Sequence, residues 1–187
     1  MRLEDCVWGI ASGVGSGNKV LFWNPSMRWA DVGDLTCSVA RTLSVVGDRW
    51  TLLILRDAFL GVRRFEDFQA VGLTRHRLAD RLKRLVEAGV MDRVRYQDRP
   101  PRFEYRLTEK GRDLYPIIVS MTRWGDRWMA GDDGPPIELE HRRCGHIVTP
   151  VLVCPRCAEP VTARDMRVRP GPALHGPDTI HEKKETP

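Results

Sequence analysis

Two groups of residues in this 187-residue chain have types and spacings that could do chemistry. The first is His141-x-x-Cys144, followed after nine residues by Cys154-x-x-Cys157, with His146 as an alternative nitrogen donor. Two residues between paired ligands let a tight turn aim both at one ion, and thiolates with an imidazole suit tetrahedral zinc. The expectation is a zinc-ribbon-like segment with one structural Zn2+; a metal-free remnant of the ribbon and a redox dithiol stay open. Four protein ligands would leave no coordination position for a substrate, so a catalytic ion is not expected. The second group is basic: Arg75, His76 and Arg77, then Arg81, Lys83 and Arg84, and later Arg99 and Arg102 around Pro100 and Pro101. Guanidinium groups donate paired hydrogen bonds to guanine edges and to phosphates, so this is chemistry for holding nucleic acid.

Elements must position these groups. At roughly 100° per residue, Leu78, Leu82, Leu85, Val86 and Gly89 fall on one apolar stripe. His76, Arg77, Asp80, Lys83, Arg84 and Glu87 lie opposite, with Arg81 at the flank and Arg75 in the first turn. The spacing predicts a helix capped by Thr74, running to about Ala88 and closed by Gly89. Its N-terminal outer face, from Thr74 to Arg77, is the face a recognition helix turns to the major groove.

Upstream, the apolar pattern predicts a helix over Ser38–Val46 and a second one capped by Asp48 and stopped by Gly61. A brief strand over Arg63–Phe65 and a short helix over Glu66–Val71 follow. Downstream, Val90–Tyr96 and Phe103–Leu107 read as a hairpin, with Val90, Val94 and Tyr96 facing Phe103, Tyr105 and Leu107. Its loop, carrying Arg99 and Arg102 and stiffened by two prolines, would be a wing. A last helix starts at Thr108–Lys110, kinked at Pro116, or properly begins at that proline. Leu114, Ile117, Ile118, Met121, Trp124 and Trp128 recur along it every three or four residues. That is more apolar surface than a lone terminal helix needs, and it suits dimerisation; the alternative is that the stripe covers its own core.

The predicted fold is mainly α with a small β-hairpin wing (α+β), a winged helix-turn-helix over residues 31–130. A Gly-, Asp- and Pro-rich linker follows at 131–136, then the zinc-ribbon-like segment at 137–169. Residues 1–30 and 170–187 read as a disordered leader and tail, and Met27 as the natural start.

Charge and cysteine content narrow the function class. The net charge is +5, but residues 37–129 hold 19 Arg and Lys against 12 Asp and Glu, so the basic excess sits in the patterned core. Five cysteines, three of them in the last quarter, make no disulfide framework. With no membrane-length apolar run and no signal-peptide pattern at the N-terminus, the expected location is cytoplasmic. No nucleophile with a paired base, phosphate-binding glycine loop or clustered carboxylates mark the core, so an enzyme is not expected.

The runs Cys37-Ser-Val-Ala-Arg-Thr-Leu43, Val46-Gly-Asp-Arg-Trp-Thr-Leu-Leu-Ile-Leu-Arg56 and Arg64-Phe-Glu-Asp-Phe68 resemble the HxlR-type family of bacterial winged helix-turn-helix transcriptional regulators. So do Leu78-Ala-Asp-Arg-Leu-Lys-Arg-Leu85, Pro101-Arg-Phe-Glu-Tyr-Arg-Leu-Thr-Glu-Lys-Gly111 and Trp124-Gly125. The resemblance covers about half of the chain and implies a homodimer, built through terminal helices, on an inverted-repeat operator in double-stranded DNA. It departs at Ser38, where proline is usual, and at Asp48, where glycine is common; neither is expected to touch the DNA face. The resemblance also makes Cys37, at a helix N-terminus, a candidate redox sensor, against the plainer reading of a buried, inert thiol.

The expected function is therefore a sequence-specific regulator, such as a repressor, released by a small-molecule effector or by thiol oxidation. The alternatives are a winged-helix adaptor that binds protein partners and a non-catalytic zinc-ribbon interaction protein.

Overall fold

The computed structural model describes residues 28–174, so the Met27 start, nearly all of the leader and the tail beyond residue 174 lie outside the described residues. The described residues divide into two compact units, 28–44 with 168–174, and 45–167. In the first, a 3-10 helix spans Trp29–Asp34, its first turn closed by hydrogen bonds from Arg28 to the Asp31 carboxylate. This 3-10 helix overlaps the end of the expected leader, and a 3-10 turn at Pro172–Leu174 falls within the expected tail. Helix α1, Ser38–Val46, starts in this unit. The Arg41 N–H donates to the Cys37 carbonyl at 3.0 Å and the Arg41 Nε to the Leu35 carbonyl at 3.0 Å.

The second unit carries a winged helix-turn-helix. Helix α2, Arg49–Phe59, is capped by the Asp48 carboxylate, which accepts from the N–H groups of Trp50 and Thr51 at 3.0 and 3.2 Å. Helix α3, Phe65–Phe68, runs into a 3-10 turn at Gln69–Val71. The strand predicted over Arg63–Phe65 shrinks to one bridge, Arg64 with Glu104, because Phe65 already begins α3 and Glu66 and Asp67 favour its first turn. Helix α4, Arg75–Glu87, ends on Gly89, whose φ of +67° is a left-handed conformation that a β-carbon would oppose.

Strands β1, Met91–Gln97, and β2, Arg102–Leu107, pair antiparallel, and here the expected register is wrong by one residue. Phe103, Tyr105 and Leu107 sit opposite Arg95, Arg93 and Met91, whereas Val94 sits opposite Glu104. The cause is at both ends: Val90 receives the Thr108 N–H on its carbonyl and leaves the ladder to Met91, while Arg93 stacks on Phe103 at 3.6 Å. An arginine stem thus occupies a face that a simple apolar alternation assigns to valine.

After β2, a short helix α5, Glu109–Arg112, breaks before α6, Tyr115–Met129. Pro116 lies in the first turn of α6, where its missing N–H costs nothing, so of the two readings the later start holds. The core joins Ile54, Leu55, Phe68, Leu78, Leu82, Leu85, Val90 and Met91, with Ile118 added from α6. Beyond α6, β3 (Glu140–His141) and β4 (His146–Ile147) form a two-residue antiparallel pair, and Val153 bridges Pro160. No residue from 137 to 167 is buried.

Candidate nucleic-acid interface

Helix α4 is held at three places, and this fixes what it can present. Leu78, Leu82 and Leu85 anchor its inner face in the core. At its start the Thr74 hydroxyl accepts from the Arg77 N–H at 3.5 Å. At its end the Lys110 ammonium donates to the Ala88 carbonyl at 2.8 Å, and the Thr108 hydroxyl to the Gly89 carbonyl at 2.7 Å. These side chains satisfy carbonyls that a helix C-terminus leaves open, and the lysine complements its dipole. Gly111 completes the joint: a β-carbon there would collide with the Val90 carbonyl oxygen.

The exposed cations of α4 differ in whether they are free. Arg84 pairs with Asp80 at 3.1 Å and Lys83 with Glu87 at 3.6 Å, both one helical turn apart. Arg81 meets the Asp48 carboxylate at 3.3 Å and the Asp80 carboxylate at 3.8 Å. One carboxylate, that of Asp48, thus caps α2 and holds an arginine of α4. Arg75 lies over the Phe65 ring at 5.1 Å and contacts Gln69 Oε1 at 3.4 Å. His76 and Arg77 are exposed, and their side chains have no partner among the described residues. The first turn of α4 thus offers free donors, while the later cations are tied to carboxylates.

The wing brings a second basic surface beside the first. An open groove of about 580 Å³ is lined by Arg75, Phe65, Arg93, Arg102 and Phe103, with the carboxylates of Glu66 and Asp67 also on its wall. Arg64 lines it as well, stacked over Tyr96 at 5.2 Å. Across α4, a second groove of about 680 Å³ gathers Arg49, Trp50, His76, Arg77 and Arg81. Arg99 sits exposed in the turn between the strands, at a cis Arg99–Pro100 bond. Among the predicted residues, Arg75 and Arg102 come together in one groove and His76, Arg77, Asp80 and Arg81 in the other, whereas Lys83, Arg84 and Arg99 line neither. Sequence reasoning missed Arg49, Arg64 and Arg93. Each stacks on an aromatic ring, and the signal available was the basic residue beside Trp50 or Phe65 and the alternation of Arg93 and Arg95 on β1.

The stripe on α6 splits in two. Leu114 and Ile118 pack on the core, whereas Ile117, Met121, Trp124 and Trp128 stay exposed, Trp124 and Trp128 by 61% and 64%. Val151, Leu152 and Val161 of the appended segment share a groove of about 580 Å³ with Trp124, Arg127 and Trp128. Cys37 is a half-buried free thiol just ahead of α1. In the appended segment, His141 Nδ1 lies 3.2 Å from Cys144 Sγ. The N–H groups of Cys157 and Arg156, with the Cys157 side chain, hold the Cys154 thiol below its ordinary pKa. Among the described residues, no three of His, Cys, Asp or Glu are grouped so as to hold a metal ion. His146 pairs across the ladder with His141.

Comparison with known proteins agrees with this geometry. The HxlR-like helix-turn-helix family matches residues 45–133. The HTH-type transcriptional regulator Mb3122 of Mycobacterium bovis is 52% identical over 138 residues, covering 73% of this chain and 87% of the relative. YdeP of Bacillus subtilis, also an HTH-type transcriptional regulator, is 36% identical over 94 residues, covering 49% of this chain and 73% of its own. Among solved structures, PA1607, a candidate transcription factor, superimposes with a TM-score of 0.66 at 40% identity, over 73% of this chain and 96% of that one.

Proposed function

The chain belongs to the HxlR-like helix-turn-helix family and is a DNA-binding transcriptional regulator, and on that premise we propose that it acts as a homodimer on an inverted-repeat operator. Each protomer sets the first turn of α4 into a major groove. Arg77 and His76 meet base edges there, with Arg75 beside them, and Arg102 and Arg99 of the wing hold the flanking backbone. Lys83, Arg84 and Arg81 reach the flanking phosphates only by exchanging Glu87, Asp80 and Asp48 for them, while the Thr74 hydroxyl and the acceptor-only Asp80 carboxylate shape the surface. The observation that carries this reading is the sorting of charges on α4: the cations at its N-terminal end have no carboxylate to leave, whereas those further along do.

The exposed half of the α6 stripe, Ile117, Met121, Trp124 and Trp128, supports pairing of two copies. Leu114 and Ile118 would then back that interface from inside the protomer. Among the described residues no helix is long and apolar enough to cross a membrane, and we place the protein in the cytoplasm, with its DNA. We assign it no catalytic step. Release of the operator by a small effector or by oxidation of Cys37 belongs to the same reading.

The test is binding of the full-length protein to its own upstream DNA, followed by fluorescence anisotropy over a salt series. Arg77→Ala should cost about 1–3 kcal/mol against the operator and relax its sequence preference. Arg102→Ala should weaken all sequences alike and reduce the salt slope by about 1. Equal, salt-insensitive binding by all three proteins would reject the proposal. Sedimentation of wild type and Trp124→Asp tests the dimer, which the variant should lose.

A further inference from the structure

We propose that the appended segment holds one structural zinc ion through His141, Cys144, Cys154 and Cys157, the ion joining two turns that each already pair two of the ligands. The same turn is built twice. In the first, the His141 carbonyl accepts from the N–H groups of Cys144 and Gly145 at 3.0 and 2.8 Å, and Gly145 is left-handed with φ of +70°. In the second, the Cys154 carbonyl accepts from the Ala158 N–H at 2.8 Å, and Ala158 is left-handed with φ of 60°. Each turn is closed by antiparallel pairing, β3 with β4 and Val153 with Pro160. The ligand positions are therefore the first and fourth of each turn, with the left-handed residue fifth.

In the first turn the two donors already meet, His141 Nδ1 and Cys144 Sγ being 3.2 Å apart, and in the second the Cys154 and Cys157 thiols stand at the same first and fourth positions. The two pairs do not form a common set of three ligands among the described residues, so closing them on one ion is the step the metal supplies. Two further features favour a metal. Nothing from residue 137 to 167 is buried, although Ile147, Val151, Leu152 and Val153 lie there, half-exposed or more. A segment that buries no core needs another source of order, which a tightly bound ion supplies directly. The charge also fits. Three thiolates and a neutral imidazole on Zn2+ leave one negative charge, and Arg142, Arg143 and Arg156 lie inside the two turns. The ligands are saturated, so the ion is structural, and binding releases the thiol protons to solvent. His146, opposite His141 in the ladder, is left outside the ligand set.

The test is metal analysis of the full-length protein, purified under reducing conditions with zinc supplied. We expect one zinc per chain, unchanged in His146→Ala. The metal should be lost in Cys154→Ser and in the double variant His141→Ala with Cys144→Ser, while the helical circular dichroism of the winged core persists. Cobalt in place of zinc should give the intense visible bands of a tetrahedral thiolate site, altered by Cys144→Ser. Wild-type protein without bound metal, its thiols all titratable or Cys154 and Cys157 joined as a disulfide, would overturn the proposal. So would zinc retained at full occupancy in the double variant, since the second turn alone would then be the site.

Discussion

The winged core and the segment after it are tied down in different ways. In the core, eight large apolar side chains, from three helices, a strand and Val90 just ahead of that strand, are essentially fully buried, and α2 and α4 each start on a side-chain cap. In the segment the strands are two residues long, no side chain is buried, and the hydrogen bonds are those of tight turns. The core can therefore hold α4 at a fixed angle to the wing without help, and burial is what fixes it. The segment has local geometry without burial, and under the zinc proposal its order depends on the ion that spans its two turns. Substitutions should separate the two regions cleanly.

The largest effect is expected deep in the core. Leu82→Ala, at a fully buried site where α4 meets the rest of the core, should cost about 2–5 kcal/mol in denaturant unfolding. A loss below 1 kcal/mol would mean that α4 is not held by burial. Gly111→Ala comes next. It drives a methyl into the Val90 carbonyl and should cost about 1–3 kcal/mol, and it should weaken DNA binding as well, because Thr108 and Lys110 hold the end of α4 from the same turn. Stability and operator affinity measured on this one variant should fall together.

A smaller effect is predicted for Asp48→Asn. Asparagine keeps the cap on α2 but loses the ion pair with Arg81, so stability should change by about 1 kcal/mol or less. DNA affinity should move the other way. Left with only its longer contact to Asp80 at 3.8 Å, Arg81 adds positive potential to the α4 surface, and the salt dependence of binding should steepen by about 1 or less. An unchanged slope would show that Arg81 stays clear of the DNA whether or not it is paired.

These predictions follow the boundary between what the sequence shows and what it hides. Helix ends were legible because their causes are local: Asp48 and Thr74 cap the residues just after them, and Gly89 stops the helix just before it. The apolar stripe of α4 was legible for the same reason, since Leu78, Leu82 and Leu85 need only helical spacing to share a face. The hairpin register was not, because Arg93 and Arg95 occupy the face of Phe103 and Tyr105, and a long stem on an aromatic ring looks polar in a hydropathy pattern. The tie between Asp48 and Arg81 joins residues 33 positions apart, and no local rule indicates it. Likewise, whether an arginine is free to bind DNA depends on which carboxylate the fold brings beside it. Spacing alone placed Arg77 and Arg84 in one basic face; the fold leaves the first free and pairs the second.

The smallest effect should come from the appended segment. Val153 is half-exposed and takes part in a single bridge, so Val153→Ala removes two methyl groups from a place that already meets water. The expected change is within about 0.5 kcal/mol, measured as unfolding of the full chain or as local amide exchange between residues 137 and 167. Chelation gives the contrast. If a metal spans the two turns, a chelator should raise exchange throughout the segment, in wild type and variant alike, while α2 and α4 keep their protection. If Val153→Ala alone opened the segment as far as the chelator does, the apolar side chains would be its source of order, and its difference from the winged core would be one of degree.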